Sequence, residues 1–285
     1  PPSRGGRAQA PRARAPAEGA LDARAERGER DGQDPRPRRG GARGRDPRAA
    51  GRAARTVLEK IAALVRPGIS TKEIDQAAAD FMVEEKCKSA FLGYRKFPGH
   101  ICISVNEEVV HGIGGPRRLQ LGDIVKLDVG VNKSGWIGDT ATTVAVGSLD
   151  PMAAKLLDVT QAALSGALEH AHSGKRLGDL CASIEKMVVA QGFSVVREFV
   201  GHGVGKKLHE EPQVPNFGVP GEGPKLKPGM TLAIEPMVNL GGFKTKTLAD
   251  GWTHVTSDGL PSAHFEHTVL TADTGPEILT IPRPQ

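Results

Sequence analysis

An α+β fold built from two similar halves is predicted for this 285-residue chain, on three observations. Helix-like and strand-like segments come in blocks, in the order helices, strands, helices, strands. The segment Gly122-Asp-Ile-Val-Lys-Leu-Asp128-Val-Gly-Val aligns without a gap on Gly229-Met-Thr-Leu-Ala-Ile-Glu235-Pro-Met-Val, with an acid six positions after the glycine in both. Each copy reads as an apolar strand that nonetheless carries a carboxylate, so the repeat has an acid at the same place in each half.

Ahead of the fold lies a tail. Residues 1 to 55 hold fifteen Arg against seven acids, a local balance of +8, and the rest of the chain is −3. The tail has no aromatic residue, and Leu21 is its only Val, Leu or Ile. Such a composition buries too little apolar surface to offset the entropy of ordering. Roughly residues 1–45 are therefore expected to be disordered and residues 46–285 to form one domain. Three readings of the tail stay open. It could be an Arg/Gly arm that touches ribosomal or other RNA through phosphate charge. It could be a transit peptide, which the seven acids disfavour. It could also be a solvated extension or upstream coding sequence, since the chain does not begin with Met.

From Pro47 to about Val65, Val57, Leu58, Ile61, Leu64 and Val65 fall at helical spacing, and Pro67-Gly68 end the helix. Ser70 and Glu73 form a capping box for a second helix ending near Lys86. Strand patterns follow at Ile101–Val105, Val109–Val110 and Ile124–Val131, and the turn Asn132-Lys-Ser-Gly135 leads into Trp136–Val146. Asp150-Pro151 cap a helix reaching about His172, and another spans Leu177 to Gln191. The Gly- and Pro-rich stretch 201–227 reads as loop. Strands return at Thr231–Val238, around Phe243–Leu248, and at His264–Thr271.

Within this frame Asp128, Asp139, His202, Glu235 and Glu266 are the candidate metal ligands. A turn centred between Lys133 and Ser134 would set Asp128 directly opposite Asp139, with Cβ atoms about 4.5–5.5 Å apart. Like charges so placed repel unless a cation lies between them. The alternative is a pair of exposed turn acids, which the apolar neighbours Val125, Leu127, Val129 and Ile137 disfavour. Glu235 and Glu266 lie in apolar segments where an unpaired carboxylate is costly. They are symmetric about Asp250-Gly251, although Pro236, Gly241, Gly242 and Pro261 would interrupt a continuous ladder. His202, between glycines, is by itself better explained by loop packing than by ligation, and becomes a candidate nitrogen ligand only because four acids already need cations. Four carboxylates and one imidazole favour two divalent ions of Mn, Fe or Co, with Zn admissible. No GxSxG elbow, HExxH helix or P-loop lysine motif offers a rival chemistry.

Ordered motifs over about residues 46 to 285 resemble the type I methionine aminopeptidases of the pita-bread metallopeptidase superfamily. They are Arg-Pro-Gly-Ile-Ser-Thr (66–71), Ser-Val-Asn-Glu-Glu-Val-Val-His-Gly (104–112), Leu-Asp-Val-Gly (127–130), Gly-Asp-Thr (138–140), Gly-His-Gly-Val-Gly with His-Glu-Glu-Pro (201–212), Ile-Glu-Pro (234–236), Asp-Gly-Trp-Thr (250–253) and Phe-Glu-His-Thr (265–268). The resemblance implies two pseudo-symmetric αβ halves around a central, mainly antiparallel sheet. It also implies that Asp128 ligates one metal, that His202 and Glu235 ligate the other, and that Asp139 and Glu266 bridge them. The implied substrate is the initiator methionine of nascent polypeptides, removed when the second residue is small.

By the same resemblance His111 contacts the substrate near the first peptide bond and His209 stabilises the oxyanion. Glu235 relays a proton, and Tyr94, Phe97, Cys102 and Trp252 line the methionine pocket. Three departures stand out. Arg45-Asp-Pro replaces a longer acidic lead-in, Phe91 stands where some relatives have cysteine, and Gly130 where some have threonine. An Xaa-Pro peptidase of the same superfamily and a metal-free binding protein are the rival readings. The first typically carries a further folded N-terminal domain, and the second loses ligands that are all present here.

Cys87, Cys102 and Cys181 are odd in number and lack a CxxC pair, which argues against a disulfide framework or zinc finger. No apolar run approaches the ~18 residues of a membrane span, and there is no signal-peptide core. A monomer in a reducing cytoplasm is the expected state.

Overall fold

Residues 46–282 are described by a computed structural model. The expectations of disorder and RNA contact for the tail fall on residues outside these, as do the last three positions of the expected domain. In chain order the helices are α1 (Pro47–Ala62), α2 (Thr71–Glu84), α3 (Pro151–Leu168) and α4 (Leu177–Ala190). The first half contains β1 (Lys88–Ser89), β2 (Cys102–Val105), β3 (Glu108–Val110), β4 (Ile124–Lys133) and β5 (Trp136–Ala145). The second contains β6 (Ser194–Val195), β7 (Gly201–Gly203), β8 (Glu210–Val214), β9 (Thr231–Ile234), β10 (Met237–Asn239), β11 (Thr245–Thr247), β12 (His254–Thr256), β13 (Ser262–His264), β14 (His267–Leu270) and β15 (Glu277–Ile278).

Each half opens with two helices whose ends are chemically marked. Asp46 caps α1 by accepting from the Arg48 N–H, with Pro47 in the first turn. Ser70 and Glu73 close the expected capping box on α2. Asp150 caps α3 through the Met152 and Ala153 amides. Helices α1 and α2 bury Val57, Leu58, Ile61, Ile74 and Met82 against Ile103, Val125, Leu127 and Val129. Leu156, Leu164, Leu180 and Ile184 of α3 and α4 pack with Leu232, Ile234, Val238 and Val269. Each such aliphatic side chain contributes about 1.5–3 kcal/mol on burial. Helix α1 lies close on the hairpin because position 138 is glycine: a Cβ there would come within 2.4 Å of the Ala50 carbonyl carbon.

The described ladders between strands are antiparallel. One sheet runs β1-β4-β2 with β5 on β4, and another runs β15-β14-β9-β7-β8. The sequence repeat is also a structural one. Gly122 and Gly229 have φ of 90° and 88°, a region open to glycine at little cost. Each donates its N–H to the carbonyl of the residue just past the partner strand, Val146 after β5 and Thr271 after β14, at 2.9 Å. Those residues return the bond to Asp123 and Met230, both at 2.8 Å. This is the two-halved, mainly antiparallel α+β fold that the sequence predicts.

Four details differ from expectation. The β4–β5 turn is not centred between Lys133 and Ser134: Lys133 pairs with Trp136, leaving Ser134 (φ 55°) and Gly135 (φ 84°) as a two-residue loop. The register therefore sets Asp128 against Ala141 and Asp139 against Gly130. The two acids share a face as diagonal neighbours, roughly 7–8 Å apart at Cα, rather than facing directly.

The stretch 201–227 is not all loop, because it holds β7 and β8. Its glycines are what admit β7 to the sheet. A Cβ at Gly201 would lie 2.4 Å from the Ala233 carbonyl oxygen, and one at Gly203 would lie 2.4 Å from that of Glu211. Thr231–Val238 and His264–Thr271 are each broken between two sheets, at Glu235-Pro236 and at Phe265-Glu266. The symmetry about Asp250-Gly251 nevertheless survives the break. Ile234 pairs with His267 and Met237 with His264, and both registers project Glu235 opposite Glu266.

Candidate metal centre

Asp128 and Asp139 are brought in on the shared face of β4 and β5, Glu235 and Glu266 at the two sheet-to-sheet breaks, and His202 in the centre of β7. The supports are rigid. The Asp139 N–H donates to Thr268 Oγ1 at 3.0 Å, and that hydroxyl donates back to the Asp139 carbonyl at 2.7 Å. The Glu266 N–H donates to the Ala141 carbonyl, and its own carbonyl accepts from Thr140 Oγ1. His202 pairs with Ala233 on one side and Gln213 on the other.

Ligand atoms of Asp139, His202 and Glu266 all lie within 4.8 Å of one another. Glu235 Oε1 joins them, 3.5 Å from His202 Nε2, which is 3.9 Å from Asp139 Oδ2. His202 Nδ1 lies 2.9 Å from the Gly203 carbonyl. A carbonyl only accepts, so Nδ1 carries the proton and Nε2 presents its lone pair to the carboxylates. Burial pushes the imidazole down to about 4, keeping it neutral. That is the tautomer and charge a metal-ligating histidine needs.

The acids are in the opposite predicament. Asp128 Oδ1, Asp139 Oδ1 and Glu266 Oε1 are sealed from solvent without a hydrogen-bond partner. Burial pushes the Asp139 carboxyl up to about 7. Burial, then the Asp139 charge, raises Asp128 well above the ordinary range. Burial with the charges of Asp128 and Asp139 does the same to Glu235, and Glu266 is raised by burial and by all three other acids. No cationic side chain is recorded in an ion pair with any of these four acids among the described residues. Buried carboxylates without a counter-charge are several kcal/mol unfavourable, and a bound divalent cation removes that penalty. The orphaned oxygens, the neutral imidazole and the hard donor set fit divalent metal.

The residues expected around the centre gather beside it. Tyr94, Phe97, Cys102 and Trp252 share one apolar cluster, with Phe97 and Trp252 edge to face at 5.1 Å. Cys102 is paired with Asp128 across β2–β4. Burial and the neighbouring carboxylates hold its thiol well above the usual range, so it stays protonated. Tyr94 Oη lies 2.8 Å from His209 Nδ1, and the His209 ring is 4.3 Å from that of His202. Burial pushes His209 down to about 3, although the residue is exposed to solvent. His111, at φ 59°, is held neutral at about 4 by burial and by His254 and His209.

The departures at positions 91 and 130 prove to be a single feature. A Cβ on Gly130 would lie 2.3 Å from Phe91 Cε1, so the ring occupies the place of a side chain at 130. Three neighbours were not singled out in the sequence. Phe199 and His254 pack on the His111 ring at 5.4 and 5.6 Å, and His264 lies beside Glu235. His264 had a signal, since it stands two residues before Glu266 on an extended segment and so shares its face.

Residues 46–273 match metallopeptidase family M24. Methionine aminopeptidase 1 of Bacillus subtilis is 51% identical over 231 residues, which cover 81% of this chain and 93% of that protein. Methionine aminopeptidase of Escherichia coli K12 is 47% identical over 81% of this chain and 89% of its own length. The crystal structure of methionine aminopeptidase from Thermotoga maritima superposes with a TM-score of 0.81 at 43% identity, covering 82% of this chain and 94% of that one. A prolidase from Pyrococcus furiosus superposes at 0.65 with 21% identity, a likeness of fold alone.

Proposed function

Given that this chain belongs to metallopeptidase family M24, we propose that Asp128, Asp139, His202, Glu235 and Glu266 hold its metal and that the adjoining cluster takes a methionine side chain. The protein is a metal-dependent aminopeptidase of the methionine aminopeptidase kind, as its relatives at about half identity are named. Its reaction is removal of the N-terminal initiator methionine of nascent polypeptides. The observation that carries the site assignment is the set of buried, unpartnered carboxylate oxygens facing a neutral imidazole.

In this reading Asp128, Asp139, His202, Glu235 and Glu266 would together hold two divalent ions of Mn, Fe or Co, with Zn admissible. When bound, such a pair acidifies water and polarises a carbonyl. The chain's own residues do the rest. Glu235 accepts the proton of the attacking water and passes it to the amine nitrogen as the C–N bond breaks. If the Tyr94 hydroxyl donates to His209 Nδ1, the His209 proton sits on Nε2, where it can donate to the carbonyl oxygen as that oxygen gains charge. The neutral His111 contacts the substrate near the first peptide bond. Tyr94, Phe97, Trp252 and the protonated Cys102 offer aromatic faces and a soft sulfur to a thioether. A second residue with a bulky side chain would clash near the pocket rim, so small second residues are the ones accepted.

The domain is taken as residues 46–285, working as a cytoplasmic monomer, with the basic tail of residues 1–45 as the segment for ribosomal or other RNA. Metal-stripped protein given Mn or Co should cleave Met-Ala peptides and leave Xaa-Pro peptides intact. Turnover of Xaa-Pro peptides instead, or of neither substrate with any ion, would refute the reading.

A further inference from the structure

Among the described residues His264 is a buried polar group with no role assigned so far. It is 2% exposed, and its Nε2 has no hydrogen-bond partner. The nearest carboxylate oxygen is Glu235 Oε2, at 3.4 Å. The other oxygen of that carboxylate, Oε1, faces His202 Nε2 at 3.5 Å. Glu235 is thus bracketed by two imidazoles, one on each oxygen. The main chain at His264 is fixed from both sides: its N–H donates to Thr143 Oγ1 at 2.9 Å, the same hydroxyl donates to its carbonyl at 2.7 Å, and it pairs with Met237 across β10–β13.

The internal repeat gives this position a meaning. Asp128 corresponds to Glu235 in the aligned segments, and Gly130 to Met237. In the first half Gly130 pairs with Asp139, and in the second Met237 pairs with His264. His264 is therefore the counterpart of Asp139, placed diagonally to the acid of its own half as Asp139 is to Asp128. The first half fills this place with a carboxylate and the second with an imidazole.

We infer that His264 is a positioning residue of the metal centre, donating its Nε2–H to Glu235 Oε2 so that Oε1 is presented beside His202 for ligation. A protonated ring nitrogen donates, and Glu235 Oε2, 3.4 Å away, is the acceptor that Nε2 faces. An outer donor of this kind sets the orientation and basicity of a ligating carboxylate. It would also fix which Glu235 oxygen remains for proton transfer. The inference rests on Glu235 being a metal ligand.

The test compares full-length wild type with His264→Leu, which removes the donor, and His264→Gln, which keeps one. Co(II) is titrated calorimetrically into metal-stripped protein and followed by its visible d–d spectrum. His264→Leu should bind about 10- to 100-fold more weakly than wild type with an altered spectrum, and His264→Gln should stay near wild type in both. Turnover of a Met-Ala peptide by the Leu variant should fall in kcat, with KM within about twofold. Wild-type affinity and spectrum in His264→Leu would overturn the role of His264 and leave the centre intact. Failure of the wild type itself to bind Co(II) would instead overturn the ligand assignment beneath it.

Should the Leu variant not fold, zinc-loaded wild type decides by 15N-histidine NMR, with the His264 signal identified by its loss in His264→Gln. A protonated Nε2 supports the inference. An unprotonated or metal-bound Nε2 overturns it.

Discussion

Replacing Asp139 by Asn should make the metal-free protein more stable and the enzyme inactive. In the folded chain the Asp139 carboxyl is pushed up to about 7 from an ordinary 3.8 by burial. The folded state therefore keeps this proton longer than the unfolded one. Its contribution to stability is present below the ordinary value and is lost as pH rises through about 7. At pH 8 without metal, the ionised side chain costs on the order of 4 kcal/mol relative to the unfolded chain. Asn does not ionise, but Oδ1 here has no partner, and burying an unsatisfied amide costs about 1–3 kcal/mol. The net gain is about 1–3 kcal/mol. At roughly 2–4 °C per kcal/mol for a domain of this size, that is a rise of several degrees in melting temperature.

The assay is a pair of thermal melts at pH 8, one in chelator and one with saturating Mn or Co, together with turnover of a Met-Ala peptide. Wild type should gain stability from metal by mass action, whereas Asp139→Asn should gain little and turn over nothing measurable. Three results would refute the reasoning: a variant that melts at or below wild type in chelator, one that metal stabilises as much as wild type, or one with wild-type turnover. The first would mean that the carboxylate has a cationic partner inside the fold. The others would mean that Asp139 does not ligate.

Metal affinity should fall by at least tenfold per pH unit below about pH 7, because Asp139 and the further-raised Asp128, Glu235 and Glu266 must each lose a proton to bind. His202, held near 4, adds nothing to that slope. Calorimetry in two buffers of different ionisation heat should count released protons, and a flat affinity across the range would sink the idea. Gly130→Ala should destabilise by about 1–3 kcal/mol, because its Cβ would lie 2.3 Å from Phe91 Cε1. Adding Phe91→Ala should recover part of that loss, and strictly additive melts in the double-mutant cycle would show the two positions to be independent. His209→Ala should lower kcat by about 10²- to 10³-fold with little change in KM. An unchanged kcat would remove it from the oxyanion role.

The acids, the glycines and the repeat were open to reading in sequence because each is a local violation. A carboxylate inside an apolar strand, or a glycine six residues before it in both halves, stands out against its neighbours. The caps at Ser70 and Asp150 were equally legible, since capping is decided within a single turn. What the sequence could not decide was which residues face each other. The first hairpin shifted its register because the chain took Ser134 and Gly135 as its loop, a choice between two neighbouring turns that differ little in local energy.

Likewise, the break of two strands at Glu235 and Glu266, the entry of β7 through Gly201 and Gly203, and the ring of Phe91 over Gly130 depend on segments far apart in the chain. His264 shows the division most plainly. Its spacing two residues before Glu266 was written in the sequence, but the equivalence with Asp139 needs the strand pairing, and its reach to Glu235 needs the bend between two sheets. Residue type fixes what a side chain can do chemically. Only long-range pairing, which no local propensity encodes, fixes what it does it to.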